Sequence, residues 1–167
     1  NAQVISATLA PEIWAFAAGD GFEKSRENLA KFSGYGVKIR LFRGIRPGLP
    51  FSTVLNSFLL LLNLLFAHKF SFIHARTEYS AACAIPARLV FRIPIIWDCR
   101  GDVFSEFIFR NKNWPRYKKI LFAVKLLTAN IQLFLAKTFS AHSIFVSEAL
   151  RQKLAPSLSS ENSSVIP

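Results

Sequence analysis

Two short clusters hold most of the groups able to do chemistry. His74-Ala75-Arg76-Thr77-Glu78 follows the apolar run Phe70–Ile73, and Asp98-Cys99-Arg100-Gly101-Asp102 follows Pro94–Trp97. An arginine at a strand end can grip a phosphate or carboxylate through two parallel N–H bonds. A histidine there can contact an acceptor or a phosphate, or cap a backbone carbonyl. Arg100 cannot take up a proton at neutral pH, so its chemistry is to stabilise negative charge or orient an acceptor. Asp102 and Glu106 are of the type that accepts a proton from a hydroxyl. Gly101 allows a backbone to approach a ligand closely. Structural readings stand beside these: an Asp98–Arg100 ion pair that ties down the loop, and an Arg76 salt bridge to Glu78 or Asp98. Glu148 reads as a first-turn acid that favours its helix dipole.

These clusters need a scaffold that places several loops together. Short apolar runs recur: Glu12–Ala18, Val37–Phe42, Phe70–His74, Pro94–Asp98, Ser143–Val146 and Ser164–Ile166. They read as strands. Helical patterns fill the gaps over Ser25–Phe32, Ser52–His68, Thr77–Phe91, Trp114–Phe139 and Ser147–Leu154. Ser25 and Ser147 read as N-caps. Ser52–His68 is apolar on most sides and is expected to be mostly buried. Pro86 is expected to kink its helix or start a second segment, and Pro115 suits a first helical turn. Alternation of strand and helix implies an α/β fold: a three-layer, Rossmann-like domain with a mainly parallel sheet, one domain over 1–167. Ligands of such folds bind beyond the carboxyl ends of the strands. There lie Gly19-Asp20-Gly21, Arg43-Gly44, the two clusters above, and Ser147-Glu148. Gly19 and Gly21 are expected in a loop on the substrate side.

The 167 residues carry 21 Lys+Arg against 10 Asp+Glu, a formal net charge of +11. That surplus favours polyanions, phosphorylated ligands or an anionic membrane surface. Arg110, Lys112, Arg116, Lys118 and Lys119 form a basic run interleaved with Phe109, Trp114 and Tyr117, ahead of a long apolar helix. Cationic and aromatic groups at a water boundary suit a peripheral membrane contact, and a solvated basic face is the plainer reading. No nucleic-acid motif accompanies the charge. Ile120–Phe139 is long enough to span a bilayer, but Lys125 and Lys137 interrupt it, so a buried or interfacial helix is expected. Two cysteines, Cys83 and Cys99, do not make a disulfide scaffold and offer no zinc site; they read as free thiols. The chain opens on Asn1-Ala2-Gln3 and closes on Val165-Ile166-Pro167. It reads as an excerpt of a longer protein.

The pattern Ile73-His74-Ala75-Arg76-Thr77, then a helix, then an apolar strand ending Asp98-Cys99-Arg100-Gly101, resembles the N-terminal domain of family-4-type glycosyltransferases. Val146-Ser147-Glu148-Ala149-Leu150 and Val165-Ile166-Pro167 are similar to later features of that family. The likeness covers about residues 35–167. It implies one half of a GT-B enzyme, the acceptor-binding domain, whose partner domain binds a nucleotide sugar. It implies a retaining transferase with no metal and no cofactor beyond the sugar nucleotide as substrate. A glycan or lipid-linked acceptor and a cytoplasmic location, peripheral on the inner membrane face, go with it. The family's first strand and the donor domain with its paired glutamates have no counterpart here, so this chain is not expected to turn over alone. His74, Arg76, Asp98, Gly101, Gly19 and Gly21 would bind substrate, and Arg100 and Asp102 would be catalytic. Two other classes remain open: another GT-B enzyme such as a sugar-nucleotide epimerase, and a non-catalytic membrane-interaction module.

Overall fold

A computed structural model describes residues 12–17, 20–30, 38–45, 51–67, 70–111, 115 and 118–166. The chain divides into two compact units, Asn1–Arg46 and Pro47–Pro167.

In the first unit, β1 (Glu12–Ala17) pairs in parallel with β2 (Lys38–Arg43), connected through α1 (Asp20–Ala30). Glu12 pairs with two of the three basic side chains of β2, Lys38 at 3.7 Å and Arg40 in close contact. Trp14 packs on Phe42 with ring centroids 5.1 Å apart, and the Arg40 guanidinium covers the Trp14 ring. This ion-paired, aromatic ladder accounts for the alternation of apolar and basic residues in β2. The helix begins five residues earlier than Ser25, so Ser25 is not its N-cap. Gly21 lies in its first turn rather than in a loop, exposed, with open space where a Cβ would stand. Gly19 falls outside the described residues.

The second unit is built on a four-stranded parallel sheet in the order β3-β4-β5-β6: Ile73–Ala75, Ile95–Cys99, His142–Phe145 and Ser163–Val165. Strands β3 and β4 are joined by α3 (Glu78–Phe91), β4 and β5 by α4 (Val103–Asn111) and α5 (Lys119–Phe139), and β5 and β6 by α6 (Glu148–Leu154). Helix α2 (Ser52–Leu65) precedes β3. Helix α3 lies against both α2 and α5 and against β4. Its buried face is made of small residues, Ala81, Ala82, Ala84 and Ala87, which lets neighbouring backbones come close. Thr77 caps it by accepting the Ser80 N–H at 3.1 Å. The helix passes through Pro86 as one continuous element. Trp97 and Phe145, both fully buried, meet edge to face at 5.5 Å in the core of the sheet.

Three differences from the sequence reading have physical reasons. Helix α4 lies in a stretch to which the sequence reading assigned no element; Asp102 is its cap, its Oδ1 accepting the Ser105 N–H at 2.9 Å. Helix α5 starts at Lys119, with the Lys118 N–H bonded to the Pro115 carbonyl just before it. Helix α2 is half exposed, and its polarity is inverted. Ser52, Asn56 and Ser57 face inward, where Asn56 bonds the Tyr79 hydroxyl at 2.5 Å and Ser57 returns to the Thr53 carbonyl at 2.6 Å. Val54, Leu55, Phe58, Leu62 and Leu65 face out. Asn56 and Ser57 are satisfied by these bonds on an inner face they share with buried Leu60 and Leu64, while the buried Ser52 hydroxyl has no partner among the described residues.

Helix α5 is long and apolar enough to cross a membrane by length and composition, and Ala136 is its one buried residue among those described. Ile120, Val124, Leu127, Ile131 and Phe134, spaced four and three residues apart, are exposed along one line of it. Gln132 ties α5 to α2 through Thr53 Oγ1 at 2.8 Å.

Candidate functional site at the carboxyl edge of the sheet

The ends of β3, β4 and β5 bring the sequence clusters of the second unit to one edge. Asp98 is the penultimate residue of β4, and its side chain is 2% exposed. Its Oδ2 accepts from Arg100 Nε at 2.8 Å and lies 3.4 Å from His74 Nε2. Its Oδ1 is buried with no hydrogen-bond partner among the described residues. The Arg100 side chain remains 58% exposed, so the guanidinium is anchored through one nitrogen and presents the rest to solvent. His74 is exposed at the end of β3. Arg76 is exposed beside it and makes no ion pair among the described residues, neither to Glu78 nor to Asp98. The edge therefore offers two accessible guanidinium groups on neighbouring strand ends, a good match to an oxyanion or phosphate.

Asp102 stands differently from a free carboxylate. Besides capping α4, its Oδ2 pairs with Lys153 Nζ of α6 at 2.6 Å. Burial works against its charge, but the bonds from Lys153 and Ser105 outweigh it and hold the carboxyl down to about 2. A group so weakly basic is a poor proton acceptor; the geometry makes it a brace between α4 and α6. Lys153 also reaches Ser105 Oγ at 3.0 Å, closing that brace. Gly101 contributes its carbonyl to Cys99 Sγ at 3.5 Å, and a Cβ there would stand 3.3 Å from Glu106 Oε1. That is the far end of a flexible side chain, so the position does not strictly exclude a side chain.

Glu148 is a first-turn acid of α6, locked to Arg151 by bonds of 2.6–3.0 Å, and Ser147 caps the helix by accepting the Leu150 N–H. Bonding to Arg151 holds its carboxyl below the usual range.

One residue at this edge carries a larger part than its sequence setting suggested. Glu78, the first residue of α3, is buried and lies 3.5 Å from Cys99 Sγ. Burial raises its pKa, against the opposing pull of its backbone hydrogen bond and of Cys99. Burial likewise pushes the Cys99 thiol up to about 12, with the Glu78 charge adding to it, and the Cys83 thiol up to about 11. Both cysteines are free and buried, as inert thiols. The signal for Glu78 was an acid directly after a strand-end cap, which also describes an ordinary helix start.

Of the basic run, Lys119 is exposed and Lys118 half-buried at the start of α5. Lys112 and Arg116 lie outside the described residues, as does the side chain of Arg110. No cluster of three or more metal-ligating side chains exists among the described residues.

A parallel sheet with helical crossovers and a polar carboxyl edge defines an α/β, Rossmann-like fold. Among solved structures, this chain is similar to the crystal structure of Anabaena Alr3699/HepE in complex with UDP and glucose. The two are 15% identical, with a TM-score of 0.51 over 93% of this chain and 44% of that one. At that identity the likeness is one of fold, and this chain spans less than half of the other's length. No family model matches the sequence, and no curated protein does.

Proposed function

We propose that this chain is the acceptor-binding half of a retaining, sugar-nucleotide-dependent glycosyltransferase of GT-B architecture, resembling the family-4 type. The observation that carries the reading is the carboxyl edge of β3 and β4. There exposed Arg76 and Arg100 flank the buried Asp98 and His74 stands 3.4 Å from it. The fold likeness to a protein that binds UDP and glucose supports it. In this reading the nucleotide sugar is held mainly by a second domain, with no metal and no further cofactor. Arg100 contacts the reacting phosphate or orients the acceptor, and Asp98 and His74 fix its position. Arg76 supplies a second cationic contact. Gly101 gives the ligand backbone access. Asp102, held near pKa 2, positions the loop rather than taking the acceptor's proton.

The acceptor is a glycan or lipid-linked sugar in polysaccharide or glycolipid synthesis, met at the cytoplasmic face of a membrane. The outward apolar line of α5 and the outward face of α2 support a peripheral contact there, with Arg110, Lys112, Arg116, Lys118 and Lys119 supplying attraction to anionic lipid. The test is transfer by the full-length protein from a panel of nucleotide sugars to a membrane glycolipid extract, read by mass spectrometry. A mass increment of one sugar on an extract lipid supports the reading. Epimerised donor with no transfer would move the protein to the epimerase class.

A further inference from the structure

Most arginines of this chain with a described side-chain contact have an acid to meet. Arg26, Arg40, Arg43, Arg100 and Arg151 each pair with a carboxylate. Arg88 and Arg92 do not, among the described residues. They sit one turn apart at the carboxyl end of α3 and line an open depression of about 290 Å³ together with Pro94 and Ala141. Pro94 leads into β4 and Ala141 into β5, so the depression lies at the amino edge of the sheet. The candidate site described above lies at the other end of β4, roughly 16 Å away at the rise of a strand.

Two observations point to a ligand at this depression. Arg88 Nη1 is buried and has no hydrogen-bond acceptor among the described residues. A buried guanidinium donor left unmet is costly, and an arginine placed only to complement the helix dipole would keep its nitrogens in water. Arg92 occupies the left-handed position after the helix, φ 57°, where glycine avoids the conformational penalty. That turn places a second guanidinium on the same depression.

We propose that Arg88 and Arg92 form a binding site for a phosphate-bearing ligand at the amino edge of the sheet, separate from the carboxyl-edge site. Two planar guanidinium forks converging on one depression match the charge and oxygen geometry of a phosphate monoester or diphosphate. The proposal does not depend on the glycosyltransferase reading.

The test is isothermal titration of the full chain with inorganic pyrophosphate at constant ionic strength. A parallel arm uses vesicles of phosphatidylcholine with and without phosphatidic acid. The expected result is saturable binding, weakened about tenfold or more in Arg92→Gln and retained in Arg26→Gln, a change at an exposed arginine of the first unit. Arg92 is exposed, so its variant should fold; Arg88→Gln is the second variant, accepted only if its thermal midpoint shows a folded protein. Binding of pyrophosphate assigns a soluble phosphorylated ligand. Binding only to phosphatidic acid vesicles, with the same dependence on Arg92, assigns a lipid headgroup. Absence of saturable binding in both arms overturns the proposal. So does binding that survives Arg92→Gln but is lost in Arg100→Ala, which would place the anion at the carboxyl edge instead.

Discussion

Arg100 Nε donates to Asp98 Oδ2 at 2.8 Å, joining a guanidinium that is 58% exposed to a carboxylate that is 2% exposed. The pair is asymmetric. Asp98 is fixed by the strand, and Arg100 is held by Asp98 while most of its donors stay available. Truncating the two partners should therefore have different consequences. Asp98→Ala removes a buried hydrogen-bonding group and should cost about 2–4 kcal/mol of stability. Arg100→Ala leaves a buried carboxylate with His74 nearby and should cost about 1–2 kcal/mol. Urea unfolding of the two variants checks this order. Equal losses would mean that Arg100 is as much a part of the core as Asp98.

The Asp102–Lys153 brace sets an acid limit. The Asp102 carboxyl is lowered from an ordinary 3.8 to about 2 in the folded chain. Its contribution is therefore complete above about pH 4 and disappears as pH falls toward 2, because the unfolded chain takes up the proton first. Stability measured between pH 5 and pH 2 should fall more steeply in the parent than in Asp102→Asn, which lacks that titration. Parallel curves would show that the brace does not persist in solution.

Glu78 predicts the opposite sign. Burial raises its pKa above the ordinary 4.5, so the folded protein holds the proton more tightly than the unfolded chain does. Its ionisation then lowers stability as pH rises through the folded value. Glu78→Gln should be more stable than the parent at pH 7 and should lose that advantage below about pH 4. Denaturant midpoints at pH 7 and pH 4 read the difference directly. A destabilised variant at pH 7 would instead mean that the charge at the start of α3 is needed there.

The outward line of α5 and its cationic start predict a surface contact that is both apolar and electrostatic. The full chain should co-sediment with anionic vesicles and poorly with neutral ones, and should be released by salt. Lys118→Gln with Lys119→Gln should weaken binding by about thirtyfold, at roughly 1 kcal/mol per basic residue removed near the surface. Leu127→Glu, in the middle of the exposed line, should weaken it even at low salt. If no binding occurs at low salt, the apolar line serves another purpose.

Much of the fold was legible because its signals are local. All six described strands announced themselves as short apolar runs, and Ser147 as a cap, while Ser25 was misread as one. The edges of β3 and α1 moved by several residues, since a run such as Phe70–Ile73 says nothing about where its hydrogen-bonded partner begins. The inverted α2 was not legible: its apolar sequence implies burial, and only the Asn56–Tyr79 and Gln132–Thr53 bonds show why polar residues turn inward. At the candidate site, His74, Asp98 and Arg100 were found by their place after strands. Asp102 has the residue type of both a base and a helix cap, and its partner Lys153 lies 51 residues along the chain, beyond the reach of pattern. Arg88 and Arg92 have the pattern of an ordinary basic helix end, which says nothing of their lining one depression at the amino ends of β4 and β5.

In the proposed function, the exposed guanidinium groups at the ends of β3 and β4 serve sugar transfer. The most direct test is the transfer rate of the full-length protein in parent, Arg76→Ala and Arg100→Ala forms, with the thermal midpoint of each recorded beside it. The expected result is a loss of about tenfold or more in Arg100→Ala, as for a charged hydrogen bond made to the reacting groups, in a protein that remains folded at the assay temperature. Near-parent transfer by both variants would contradict it and leave Arg100 as the anchor of a loop.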